Sequence, residues 1–187
     1  MAGDDELLAK WLSNLEYGCA PFMSSTVRSV HKGCGFESGQ IFSGVADSER
    51  VSLFFVPRDS QLAHIQFGLA AGGLGVWHLY ENPTVTSSGT SVPVKNLNRH
   101  FKNRESTWLI YQNPTIGDFG DRLRSGIIPG SADAIPVAAL AAGTVRSEAE
   151  RVLCTDDSYL LIIQNRSGSS VLVGMACEWC EMPVSGL

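Results

Sequence analysis

The chain opens with a helical apolar spacing and then changes to the shorter spacing of strands. Over residues 4–16, Leu7, Leu8, Trp11, Leu12 and Leu15 recur at helical intervals and form one apolar stripe. Asp4 or Asp5 can cap this segment, and the acids of its first turn suit the helix dipole. A helix this short is marginal alone, so its stripe must dock, on the chain's own β domain or on a neighbouring subunit. Residues 17–72 then give several strand candidates. The clearest is Val51–Val56, closed by Pro57. In Ala63–Ala70, Ile65, Phe67 and Leu69 alternate against His64, Gln66 and Gly68. Ala71-Gly72-Gly73 reads as a turn and a weak organisational break.

The most informative pattern is an internal duplication. Trp77-His-Leu-Tyr-Glu-Asn-Pro-Thr-Val85 recurs as Trp108-Leu-Ile-Tyr-Gln-Asn-Pro-Thr-Ile116. Trp, Tyr, Asn, Pro and Thr are identical at matched positions. Each copy predicts a strand that ends at a corner. Trp77 and Leu79 share one face and Tyr80 takes the other. The proline restricts the preceding Asn and cannot continue a central ladder, and the Thr-Val pair favours a new strand. Ser87-Ser88-Gly89 supplies the next turn. Two copies are too few for a solenoid and fit two equivalent units of one sandwich.

Residues 117–150 are rich in Gly, Ala and Pro and read as a long loop with little regular structure. Val152–Cys154, Tyr159–Asn165 and Ser169–Glu181 read as closing strands. Asn165-Arg166-Ser167-Gly168 is the expected hairpin turn between the last two. The resulting fold class is mainly β: an antiparallel β-sandwich or jelly roll with a short N-terminal helix. Its expected divisions are an arm at 1–16, a β-rich segment at 17–73 and a jelly-roll-like domain at 74–187.

Composition narrows the function. Of 187 residues, 18% are charged, below the roughly 25% of ordinary globular domains, which fits a surface partly covered by partners. The net charge of -5 argues against nucleic acid as the main ligand. The longest uncharged apolar tract, Ala134 to Val145, is broken by Pro136 and Gly143, so no membrane span is expected. The acidic start at Asp4, Asp5 and Glu6 does not read as a signal peptide. Five cysteines suggest reduced thiols in a protein made in the cytoplasm.

Candidate chemistry is sparse. Cys177-Glu-Trp-Cys180 has the look of half a zinc site, with Cys19 and Cys34 as partners. On a strand, however, Cys177 and Cys180 face opposite ways, so neither a metal nor any other cofactor is expected. His31, His64, His78 and His100 show no paired-ligand spacing. The second copy has Leu109 where the first has His78, which reads as a packing position. A local basic run, Lys95 to Arg104, lies between the two copies. There Lys95, Arg99, Lys102 and Arg104 are candidates for a rim that meets an acidic patch on a partner.

The run from Leu79 to His100, the second corner IYQNPT, the IIPG segment and the ending from Ser158 to Glu181 resemble the head decoration (cement) proteins of tailed bacteriophages, of jelly-roll type. The resemblance covers roughly Leu74 to Glu181, and the first 73 residues fall outside it. It implies a homotrimer on the capsid exterior of a virion, gripping the major capsid protein and reinforcing contacts between capsomers. It carries over no catalytic residue, so no enzyme is expected. Leu8, Trp11 and Leu15 of the arm join the basic rim as candidate contacts. A receptor- or glycan-binding virion component is the alternative; an enzyme such as a zinc hydrolase is the third reading.

Overall fold

The computed structural model describes residues 29–129, 145–146 and 151–183. Within them the strands are β1 (Gly35–Val45), β2 (Arg50–Pro57), β3 (Gln61–Ala71), β4 (Gly75–Glu81), β5 (Thr84–Ser87), β6 (Thr90–Val92), β7 (Lys95–Asn96), β8 (Trp108–Gln112), β9 (Thr115–Asp118), β10 (Asp121–Ile128), β11 (Val145–Arg146), β12 (Arg151–Leu153), β13 (Tyr159–Asn165) and β14 (Val171–Pro183). A 3-10 turn, Arg99–Phe101, lies between β7 and β8. All pairings are antiparallel. One sheet runs β11-β3-β14-β1-β7, with β12 also on β3; the other runs β10-β4-β13-β2-β8-β6.

Eight of these strands form a jelly roll. In chain order β1, β2, β3, β4, β10, β12, β13 and β14 give the four-strand orders β1-β14-β3-β12 and β2-β13-β4-β10, one per sheet. Everything from β5 to β9 is an insertion in the β4–β10 hairpin.

Side chains that alternate inward from both sheets make the core. Ile65, Phe67 and Leu69 of β3 and Val173, Met175, Cys177 and Trp179 of β14 meet Leu53 and Phe55 of β2 and Tyr159, Leu161 and Ile163 of β13. Phe55 and Phe67 cross the gap edge to face, 5.7 Å apart.

The duplicated corners build a local two-fold relation in the second sheet. Trp77 and Leu79 lie opposite Ile163 and Leu161 of β13, while Trp108 and Ile110 lie opposite Pro57 and Phe55 of β2. The β2–β13 pair places Phe54 opposite Leu160 at the centre. After each corner the chain crosses to the other copy. The first copy's tail reaches β8 as β6, the second copy's tail reaches β4 as β10, and β5 pairs with β9. That small pair covers Phe54, Leu160 and Ile162 with Val85 and Ile116, and Tyr80, Tyr111 and Phe119 pack beside them.

Several sequence expectations need revision. The helix expected over 4–16 lies outside the described residues, which begin with a single helical turn at 29–31. The expected loop at 117–150 contains the end of β9, all of β10 and β11. β10 escaped notice because most of its side chains are exposed and show no apolar period. The Asn165–Gly168 turn is not a hairpin: β13 and β14 belong to different sheets. Buried Asn165 makes it an arch, its Nδ2 donating to the carbonyls of Val45 (2.9 Å) and Ser169 (2.7 Å) and its Oδ1 accepting from the Ser167 amide. At Gly72-Gly73 the chain passes from one sheet to the other. Strands from both sides of it are hydrogen-bonded together in both sheets, so β1–β3 and the strands that follow them share one core.

Candidate partner-binding surfaces

The basic run folds into a braced projection. Buried Asn96 donates from Nδ2 to the Gly33 carbonyl (2.8 Å), and its Oδ1 accepts the Asn98 amide (2.9 Å). Asn98 caps the 3-10 turn by accepting from the His100 amide, and donates from Nδ2 to the His31 carbonyl. Gly33 has φ +70, and any Cβ there would collide with the Phe101 ring, so this glycine lets the two segments close on each other. Arg99 donates to the Asn96 carbonyl and Arg104 to the Lys32 carbonyl at 3.4 Å. Lys95, Arg99, Lys102 and Arg104 are all exposed and are joined by Lys32, which sequence reading missed because it lies far away in the chain. Leu8, Trp11 and Leu15 fall outside the described residues.

A second cationic surface was missed altogether. β10 and β12 are edges of the two sheets on the same side of the sandwich. Arg122 and Arg124 of β10 and Arg151 of β12 gather there, and Arg124 stacks 5.8 Å over the Trp77 ring. Burial and the charge of Arg124 both press the Arg151 guanidinium below its ordinary value. Leu123 and Ile127 of β10 are 45% and 64% exposed, and Val152 of β12, paired with His64 on the outward face of the other sheet, is 48% exposed.

His78, expected as a packing position, carries polar contacts instead. Its Nδ1 lies 2.7 Å from the Ser125 hydroxyl of β10. Burial, then the charges of Arg122 and Arg50, lower its pKa from 6.5. Arg50 in turn sits over the Phe119 ring.

On β14, Cys177 and Trp179 point into the inter-sheet core, and Glu178 points outward. The Cys177 thiol donates to the Ser38 carbonyl, and burial pushes its pKa up, as suits an inert packing thiol. Among the described residues no group of three or more His, Cys, Asp or Glu could hold a metal ion. Nor, among them, is any helix long and apolar enough to cross a membrane. Among the described residues one carboxylate is deeply buried: Glu181, 3% exposed, accepts through Oε1 from the Ser106 hydroxyl, the Thr107 amide and the Trp179 indole.

The sequence matches no protein-family model and no curated protein. Among solved structures it aligns with the infectious bursal disease virus VP2 subviral particle at 11% identity and a TM-score of 0.13, over 80% of this chain and 42% of that one. T=1 particles derived from infectious bursal virus align at 10% identity and a TM-score of 0.13, over 79% and 40%. The chain thus spans under half the length of either, and superpositions this loose carry no argument about fold or function.

Proposed function

We propose that this chain is a structural virion protein that binds the outer surface of a phage capsid, reinforces contacts between major capsid protein subunits and catalyses no reaction. The observation that carries the reading is the braced basic rim. Asn96 and Asn98 hold the Lys95–Arg104 segment against the 31–33 turn, so its cations stand outward in a fixed arrangement. A preorganised array of this kind sets orientation and on-rate toward an acidic face at little ordering cost. The jelly roll supports the reading by analogy only, since capsid and lectin domains both use it.

Co-sedimentation with purified capsids is the test. The expected result is saturable binding at a copy number comparable to that of the shell protein, weakened by salt and by reversing Arg99, Lys102 and Arg104 to Glu. Light scattering of the free protein should give a trimer mass. No capsid binding, together with specific hits on a glycan array, would favour the receptor-binding alternative.

A further inference from the structure

The β10 edge has two properties that occur together. First, among the described residues β10 is hydrogen-bonded on one side only, to β4, which leaves a row of backbone donors and acceptors along eight residues. Exposed edges of this length are normally blunted by charged side chains, by proline, by a bulge or by a cover. The described bulge between Arg122 and Arg124 lies at one end, and the stretch from Arg124 to Ile128 pairs regularly. At Gly126 a Cβ would meet the Trp77 Nε1 at 2.5 Å, so the Trp77 indole lies directly against the backbone of this stretch.

Second, apart from Asp121, Ser125 and Gly126, the residues along this edge are apolar or cationic. Leu123 and Ile127 stand exposed, Arg122 and Arg124 share their strand, and Arg151 of β12 lies near Arg124. Asp121 is the single acid on β10. Arg122 pairs across to Tyr80, and Arg124 to Leu79. The two guanidinium groups therefore flank the edge on opposite faces of the sheet. No ion pair is formed by these arginines among the described residues, and the chain as a whole carries a charge of -5. Arg124 and Arg151 lie near enough for the charge of one to act on the other, and such like charges repel unless an anion joins them.

From this juxtaposition we infer that β10 accepts an extended polypeptide segment, rich in acidic and β-branched apolar residues, as an added strand. Backbone pairing would supply affinity. The arginines on the two faces would select acids, and Leu123 and Ile127 would bury the apolar side chains between them. The inference rests on the proposed function in one respect, that the segment belongs to a protein subunit.

The test uses the full chain and a fluorescein-labelled peptide of about ten residues built from glutamate and valine. Fluorescence anisotropy should show binding. A lysine–valine peptide and a version interrupted by proline should not bind. The variant carrying Arg122→Glu and Arg124→Glu should lose affinity by about tenfold or more. Hydrogen exchange should show new protection at alternate amides of β10. Absence of binding, binding unchanged in the double variant, or protection confined to residues 95–104 overturns the inference. So does self-association of the free chain that Leu123→Asp abolishes, because the occupant is then a second copy. The two proposals fail separately. Normal capsid co-sedimentation without peptide binding sinks only this one; peptide binding by a chain that ignores capsids sinks only the capsid reading.

Discussion

Asn113 and Ser52 are joined by two reciprocal hydrogen bonds. The Asn113 amide donates to the Ser52 carbonyl, and the Ser52 amide donates to Asn113 Oδ1, each at 3.0 Å. Asn113 also holds φ at 48°, in the left-handed region, as its counterpart Asn82 does at 54°. Asparagine tolerates that region better than most residues, and its side chain here fastens the corner to β2. Asn113→Ala should therefore cost about 2–3 kcal/mol, combining left-handed strain with an unmet Ser52 amide. Asn113→Gly, which relieves the strain and loses only the side-chain bond, should cost about 1 kcal/mol. Urea midpoints of the two variants would separate the contributions.

The crossing of the two corner units depends on Gly89 and Gly120. Their φ values are +85 and +73, and a Cβ at either would lie 2.2 Å from a backbone carbonyl oxygen, that of Gln112 or Glu81. Neither carbonyl can retreat without breaking its sheet. Alanine at either position should cost at least ~3 kcal/mol, whereas Gly168→Ala, at φ +77 with open space around it, should cost only about 1 kcal/mol. Chemical denaturation of all three would check the contrast; equal losses would mean that backbone strain alone sets the cost.

These corners also show what the sequence could reveal. Identical Trp, Tyr, Asn, Pro and Thr at matched positions exposed the strand–corner–strand units, because packing demanded the same residues twice. Tyr159–Asn165 was legible as a run of buried residues between turn signals. The crossing of each tail to the other copy was not legible, since it is decided by backbone pairing between distant segments. β10 was hidden for a related reason: an edge strand facing solvent needs no apolar period. The Asn165 arch mimicked a hairpin because its turn residues are the same, and only burial of Asn165 between two sheets tells them apart. At the surface, the cations of 95–104 were visible as a cluster. Their bracing by Asn96, and the meeting of Arg124 with Arg151, are products of the fold.

Glu181 is a carboxylate taken almost wholly out of water, and Oε1 alone receives its three donors. Its Oε2 is buried with no hydrogen-bond partner among the described residues. Glutamine can keep an acceptor at Oε1, while leucine strands Ser106, Thr107 and Trp179 together. Glu181→Gln should thus be tolerated within about 1 kcal/mol, and Glu181→Leu should cost on the order of 3–5 kcal/mol. Thermal or denaturant unfolding of both variants decides it. A leucine variant as stable as the glutamine one would show that the three donors find other partners.

Asn96 separates charge from preorganisation in the basic rim. Asn96→Ala removes the bonds to Gly33 and Asn98 but leaves every cation of the segment in place. If the fixed arrangement matters, this variant should bind capsids several-fold more weakly, chiefly through faster dissociation. Its salt dependence should stay close to that of the parent chain. Reversing Arg99 and Lys102 should instead reduce the salt dependence itself. Surface-immobilised capsids and a salt series would distinguish the two patterns.

His78 gives the chain a pH dependence whose sign follows from its surroundings. Burial first, then the charges of Arg122 and Arg50, lower its pKa in the folded state below 6.5. The unfolded chain therefore binds a proton at His78 more readily than the folded one. The contribution of this residue is fully present above 6.5 and is lost as pH falls from there through the lowered folded value. The second copy supplies a natural replacement, since Leu109 occupies the equivalent frame position. His78→Leu should lose the Ser125 contact yet flatten the decline in stability between pH values above and below 6.5. Denaturation midpoints of both proteins across that window provide the check. An unchanged slope would mean that other groups, not His78, carry the acid sensitivity.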